Sequence, residues 1–223
     1  MYTLREMPPP LPTELAELLS RVETATVGHW HLYGFMDPGV QPMLPRKRVV
    51  GTAVTVAIPG ADSTLLHHAT GLLRPGDIVV VDRMGDQRHA CWGGGVTIAA
   101  KAAGALAGVV DGPCTDLPEI QESDFPVWSR GISPITTRLY NLGGGLNIPV
   151  SCGGVPVLPG DVVLADESGV LVLRRDEAEA IAREALRRQA NGAEREAAVR
   201  AGAKLGELSG ASAKIRSAMS AGG

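Results

Sequence analysis

Aromatic residues are scarce in this chain: two Phe, three Tyr and three Trp make up 4% of 223 residues. A core must therefore be built mostly from Val, Leu, Ile and Ala. Cysteine is scarcer still, and three residues are an odd set that suits a reducing compartment better than a disulfide scaffold. No apolar run reaches the ~20 residues needed to span a bilayer. Met1 to Glu6 are not followed by an apolar segment of the secretory type, so the cytoplasm is the expected compartment. Excess positive charge is also missing. The formal net charge of −3 argues against nucleic acid as the main partner, and nothing points to a membrane. What remains is ordinary for a globular protein, with 44% hydrophobic and 20% charged residues. The length suits one large domain or a domain with an appended helix. Glycine, at 28 residues, is plentiful and points to tight turns and close backbone approaches.

Along the chain, Pro8, Pro9, Pro10 and Pro12 mark an irregular lead-in over residues 1–23, with a short helix starting near Thr13 as its N-cap. Ala16 leaves the capping box incomplete. An α/β core is expected over residues 24–175. Residues 49–57 read as a β-branched strand, and residues 63–73 as a helix capped by Asp62 or Ser63. Pro75-Gly76-Asp77 and Pro159-Gly160-Asp161 each lead into an apolar run ending in Asp, at Asp82 and Asp166. The echo is either a weak internal repeat or shared turn chemistry. Gly143, Gly144 and Gly145 read as a flexible or ligand-facing loop. Two C-terminal helices are expected within residues 176–208. The first, capped by Asp176, spans residues 177–189, and the second spans 193–205 after Asn191-Gly192. Residues 209–223, small and polar, read as a flexible tail.

The most informative stretch is residues 92–116. Gly93, Gly94, Gly95 and Val96 precede a small-residue helix pattern, and a buried strand then ends in Asp111-Gly112-Pro113-Cys114-Thr115-Asp116. A glycine loop opening a helix presents bare N–H groups and the positive end of a helix dipole to an anion. The turn after the strand brings Asp116 to the same rim, where open α/β sheets bind ligands. An anion cradle beside a carboxylate suits a metal ion and a small acidic substrate.

Several of these segments match a known family in order. They are Val50-Gly51-Thr52-Ala53-Val54-Thr55-Val56, Pro75-Gly76-Asp77, Trp92-Gly93-Gly94, Ala99-Ala100-Lys101-Ala102-Ala103-Gly104 and Gly108-Val109-Val110-Asp111-Gly112. Phe125-Pro126-Val127, Pro149-Val150, Gly153-Gly154-Val155, Pro159-Gly160-Asp161 and Asp166-Glu167-Ser168-Gly169-Val170 complete the set. Over roughly residues 24–206 the chain resembles the RraA-like proteins. That family includes class II 4-hydroxy-4-methyl-2-oxoglutarate / 4-carboxy-4-hydroxy-2-oxoadipate aldolases and the regulator of ribonuclease E activity.

The resemblance implies an α/β domain of the swivelling β/β/α type with a C-terminal helical extension. It implies a homotrimer or a homohexamer built as a dimer of trimers, with sites between subunits. It also implies a Mg²⁺- or Mn²⁺-dependent lyase that cleaves a small 2-oxo acid by retro-aldol reaction or decarboxylation, through a pyruvate enolate. On that pattern Asp116 contacts the metal, and Glu196 reaches the metal region from a neighbour's C-terminal helix, with Glu194 as the competing register. Thr115 stands where the family has a carboxylate-clamping Arg, and Gly94 where it has an acidic residue. Arg88 is either a replacement clamp or a solvated loop residue. His89 is either an acid–base group or structural. His29, His31 and Asp37 form either a metal site or a loop packed by Trp30, Tyr33 and Phe35. His67 and His68 cannot share a helix face, so one faces solvent. Cys91, Cys114 and Cys152 read as small core residues, with a catalytic thiolate at Cys114, near the site, as the lesser alternative. The alternatives to a lyase of this kind are a non-catalytic regulator, or a different lyase served by residues 87–89.

Overall fold

The computed structural model describes residues 1–221. Among them the chain runs β1 (Tyr2–Leu4), α1 (Thr13–Leu19), α2 (Thr24–Val27), β2 (Gln41–Pro42), β3 (Val49–Ala57), α3 (Thr64–Thr70), β4 (Asp77–Asp82) and α4 (Gly94–Ala102). It continues through β5 (Ala107–Val110), α5 (Leu117–Glu122), β6 (Val127–Ser129), β7 (Gly144–Leu146), β8 (Val150–Cys152) and β9 (Val155–Val157). β10 (Val162–Asp166), β11 (Gly169–Leu173), α6 (Ala178–Arg200), α7 (Leu205–Leu208) and α8 (Ala211–Ala221) end it.

Strands β3, β4, β5 and β6 lie side by side and parallel, with α3, α4 and α5 as the connections. Parallel strands are covered on both faces, so they read as continuous apolar runs, and β4 is buried from Asp77 to Val81. Alternation within each strand still sorts the side chains between two layers. Val54, Val56, Val79, Val81 and Val110 meet Leu65, Leu66, Val96, Ala100 and Ile120 from the three helices. Ala53, Ile78, Val80 and Val109 meet Cys152, Val155 and Val157 of the β8–β9 hairpin. On the far side of β3, the antiparallel β10–β11 pair packs on α6 through Leu164, Leu171, Ile181 and Ala185. The chain is therefore a mixed α/β domain carrying C-terminal helices.

The Pro-Gly-Asp echo is shared turn chemistry. In both turns the Asp carboxylate accepts the N–H three residues earlier, Arg74 N to Asp77 and Leu158 N to Asp161, each at 2.8 Å. Yet β4 pairs with β3 in parallel and β10 in antiparallel fashion, so no repeated unit results.

Three stretches differ from their expected form. Gly143–Gly145 is not a ligand-facing loop, because Gly144–Leu146 pairs with Tyr2–Leu4. Side chains there would strike Ala57 O and the Ile148 side chain, so the glycines permit close strand approach. The lead-in thus begins as an edge strand. Asn191-Gly192 does not divide the C-terminal helix, since α6 runs unbroken from Ala178 to Arg200. Gly costs only about 1 kcal/mol in a helix interior, and flanking pairs such as Glu184–Arg188 and Glu196–Arg200 offset part of that. The small polar segment after residue 209 forms α8, which buries no residue and is rich in the strong helix former Ala. Gly192 has open space around it. Gly192→Ala is therefore expected to raise unfolding stability by roughly 0.5–1 kcal/mol, read by denaturant titration, and a lower midpoint would contradict this account.

Candidate functional site

The connections that leave the carboxyl ends of β4 and β5 build the site. After Asp82 the chain turns through Met84 and Gly85, both at positive φ. Asp86 then gathers the turn: Oδ1 accepts Arg88 N at 2.7 Å and His89 N at 3.0 Å, and Oδ2 lies 2.7 Å from His89 Nδ1. Trp92 anchors the next stretch. It is fully buried, stacks on Phe125 with centroids 6.1 Å apart, and donates Nε1–H to Thr97 Oγ1 at 3.0 Å.

The glycines follow at once. Gly94 opens α4, and its N–H donates to Asp116 Oδ2 at 3.0 Å. A Cβ on Gly93 would sit 2.5 Å from that same oxygen, so glycine at 93 makes room for the carboxylate. Asp116 itself holds a left-handed backbone, φ 52°. Non-glycine residues in that region carry a conformational cost and cluster at functional sites. Its other oxygen accepts the Thr115 hydroxyl at 3.2 Å. Asp116 is thus held by the glycine turn on one side and by its neighbour on the other. The cradle is narrower than its sequence suggests. The Gly94 N–H is taken by Asp116, which leaves those of Gly95 and Val96 in the first helical turn, where no intrahelical acceptor exists.

Asp116, Thr115 and the start of α4 line a cleft of about 600 Å³, together with Ser63 and His67 beside and on α3 and with residues 136–139 of a strap that runs over residues 132–142. The strap is tied down along its length. Ala90 N donates to Ile135 O at 2.8 Å, Arg138 N to Ala61 O at 2.7 Å, and Ser63 N to Arg138 O at 2.9 Å. Buried Asp62 completes the attachment, accepting Tyr140 N at 3.0 Å, Leu142 N at 2.7 Å and both donors of Thr64. Burial pushes the Asp62 carboxyl up, but the hydroxyl of Thr64 and the three backbone N–H groups outweigh it and hold it down at about 2. The strap places Arg138 in the cleft wall. Arg138 Nη1 donates to Thr136 O, Thr136 Oγ1 and Thr137 O. Its Nε and Nη2 meet no acceptor among the described residues.

The expected site residues divide cleanly. Asp116, Thr115, Gly93, Gly95 and Val96 line the cleft, with Gly94 packed beneath them. Arg88 and His89 do not line it. Asp86 turns the His89 ring onto its own loop, and the Arg88 side chain points to solvent. Sequence adjacency to the glycines misleads here, because Asp86 holds the His89 ring on its own loop. Glu196 lies on the exposed second half of α6, paired with Arg200 at 3.4 Å and away from Asp116 within the chain. Asp37 pairs with Arg130 at 3.0 Å instead of joining His29 and His31. Among the described residues no three His, Cys, Asp or Glu side chains converge as a metal cage. All three cysteines are buried and unpaired. Arg138 and Ser63 were missed, as was a site role for His67. Only the Ser63/His67 spacing, one helical turn, hints at a shared face.

Comparison with known proteins now adds to this geometry. The family model described as RraA-like (Aldolase/RraA) matches residues 24–172. The chain belongs to the Aldolase/RraA family. A relative from Halalkalibacterium halodurans, named "Putative 4-hydroxy-4-methyl-2-oxoglutarate aldolase", is 34% identical over 160 residues, covering 72% of this chain and 76% of the relative. The crystal structure of Streptomyces coelicolor RraAS2, described as an unusual member of the RNase ES inhibitor RraA protein family, superposes with a TM-score of 0.74 at 28% identity. It covers 83% of this chain and 98% of RraAS2. The RNA-processing inhibitor RraA from Thermus thermophilis gives a TM-score of 0.61 at 26% identity, covering 68% of this chain and 91% of that one. Within the Aldolase/RraA family, then, the fold carries names of both enzymes and inhibitors, and the cleft chemistry must decide between them.

Proposed function

We propose that this chain is a carbon–carbon lyase that cleaves a small 2-oxo acid, releasing pyruvate by retro-aldol reaction or decarboxylation. The observation that carries the reading is the convergence of Asp116, the first-turn amides of α4 and the Arg138 guanidinium on one cleft. A 4-hydroxy-2-oxo diacid has a carboxylate at each end and polar oxygens between, and the cleft has a cation or N–H donors to meet each end. The aldolase name given to the Halalkalibacterium relative supports the same chemistry.

The donor set fits a hard cation. Mg²⁺ and Mn²⁺ keep several waters and need only one or two protein carboxylates, and Asp116 offers one at the cleft surface. A bound Mg²⁺ or Mn²⁺ would supply Lewis-acid stabilisation of negative charge on the 2-oxo oxygen. The chain's own groups do the rest. Amides of Gly95 and Val96 orient the carboxylate next to the 2-oxo group. Arg138 takes over from Thr115 the clamping of the distal carboxylate, which a threonine hydroxyl cannot grip bidentately. Thr115 instead steadies Asp116.

Leu139 lines the cleft, and Ile132, Ile135, Tyr140 and Leu142 are exposed along the same strap; this apolar surface supports assembly of the chain as a trimer or hexamer, with a neighbour's Glu196 completing the site. No helix among the described residues is long and apolar enough to cross a membrane. Unpaired cysteines support action in the cytoplasm, and the net charge of −3 speaks against nucleic acid as a direct partner. The second reading, a non-catalytic regulator, draws on the absence of the family Arg at Thr115 and on the inhibitor names of the solved relatives.

The test is pyruvate release from 4-hydroxy-4-methyl-2-oxoglutarate and from oxaloacetate, with Mg²⁺ or Mn²⁺ and after chelation. Turnover that chelation stops is expected; none with either ion across a 2-oxo acid panel favours the regulator. Arg138→Ala is expected to raise KM for diacids roughly 10- to 100-fold, the loss of a charged hydrogen-bonded clamp, while monoacid KM moves far less. Equal shifts for both classes would remove Arg138 from substrate recognition.

A further inference from the structure

We propose that His67 is the proton-transfer residue of this cleft, taking the 4-hydroxyl proton of the substrate and returning it to C3 of the departing pyruvate unit. The assignment rests on the lyase reading above and supplies the acid–base group that reading lacks.

Four side chains lining the cleft can ionise: His67, Cys91, Asp116 and Arg138. Arg138 stays charged throughout the working range. Cys91 is buried, and burial pushes its thiol up to about 11 against a smaller opposing pull from Arg83. Asp116 is committed as an acceptor, with one oxygen on the Gly94 N–H and the other on the Thr115 hydroxyl. Imidazole is the side chain whose ordinary titration falls between pH 5 and 8, so it both takes and gives a proton near neutrality.

The placement agrees. α3 is fixed where His67 leaves it: His67 N donates to Ser63 O at 3.0 Å, and the Thr70 hydroxyl donates to His67 O at 2.8 Å. The ring is exposed and has no hydrogen-bond partner among the described residues, so its nitrogens are open to a ligand. His89 is the opposite case, with Nδ1 on Asp86 and the ring outside the cleft. His68, next along α3, does not line the cleft either. The ionisable groups that line the cleft with His67 are Arg138 from the strap, Asp116 from the start of α5 and Cys91 from the loop before α4, with His68 next to it on its own helix. Arg138 and Asp116 carry opposite charges.

The step closes on itself. A ring nitrogen accepts the C4–OH proton as C4=O forms and the C3–C4 bond breaks. The bonding pair moves into C2–C3, leaving negative charge on the 2-oxo oxygen. The imidazolium then gives its proton to C3, C2=O re-forms, and pyruvate leaves with neutral His67 restored. No oxidant or reductant takes part.

His67→Gln tests this. Expected are a kcat loss of roughly 10²- to 10⁴-fold with KM changed by less than about 3-fold, and disappearance of the rate limb in the pH range where imidazole titrates. Expected too is loss of the wild-type exchange of solvent deuterium into the methyl group of pyruvate. Thermal unfolding should not move, since the exposed ring makes no hydrogen bond to lose. A variant that keeps kcat within about 3-fold, keeps the pH limb, or keeps the exchange overturns the assignment. Wild-type protein that exchanges deuterium but cleaves nothing in the panel overturns the cleavage reading alone, with loss of exchange in His67→Gln still supporting His67. Wild-type protein that does neither overturns both.

Discussion

Asp116→Asn is expected to lower pyruvate release at least ~10³-fold and to abolish Mn²⁺ binding measured by calorimetry, with the fold intact. Removing the one carboxylate at the cleft surface takes away the proposed anchor for a cation that supplies several kcal/mol of charge stabilisation, and about 4 kcal/mol corresponds to a factor of 10³. The variant separates this role from a structural one. Asn tolerates the left-handed backbone at φ 52°. Its amide oxygen can still accept the Gly94 N–H that Asp116 accepts at 3.0 Å. Stability should therefore fall by no more than about 1 kcal/mol, the usual size of a helix-cap change. Unchanged turnover and unchanged Mn²⁺ affinity would sink the lyase mechanism, whatever the fate of its other residues.

The part of this site legible in the sequence is the part written locally. Strand β4 declares itself by the run from Ile78 to Val81, and its start by a Pro-Gly-Asp turn whose carboxylate reaches back three residues. Gly93, Gly94 and Asp116 are legible for a similar reason, since a glycine turn into a helix and an acidic turn after the next strand must meet at one edge of a parallel sheet. Arg138 carries no such signal. It stands 22 positions beyond Asp116 in a segment without regular structure, and reaches the cleft only because Asp62, Ala61 and Ala90 tie that segment down. His89 shows the converse error: a good acid–base residue near the glycines, diverted by the Asp86 carboxylate three positions earlier. Gly144 and Asn191-Gly192 were misread because the same residue types serve turns, close strand approach and tolerated helix interiors. Only the partner backbone, Ala57 O in one case and an uninterrupted α6 in the other, distinguishes these uses.

Asp62 joins the strap to the rest of the cleft, and its replacement has the second large expected effect, on stability and on substrate affinity together. Thr64 N, Thr64 Oγ1 and Tyr140 N donate to one oxygen, and Leu142 N donates to the other. In Asp62→Asn, an amide turned to satisfy the first three presents its NH₂ to the Leu142 N–H, donor against donor, in a buried place. A buried donor left unmet costs about 1–3 kcal/mol. Loss of the charge adds about 2 kcal/mol at neutral pH, from a carboxyl held near 2 against an ordinary 3.8. Such a depressed value contributes its stability in full above about pH 4 and loses it as pH falls through about 2. The stability gap between wild type and Asp62→Asn, measured by denaturant titration, should accordingly narrow below pH 4 to the residual cost of the mismatched amide. A gap that is constant or widens with acid would show that the charge is not what holds the strap. Because Arg138 rides on that strap, faster amide exchange at Tyr140 and Leu142 should accompany a higher diacid KM. Faster exchange with KM unchanged would mean that Arg138 does not grip the substrate from the position the strap gives it.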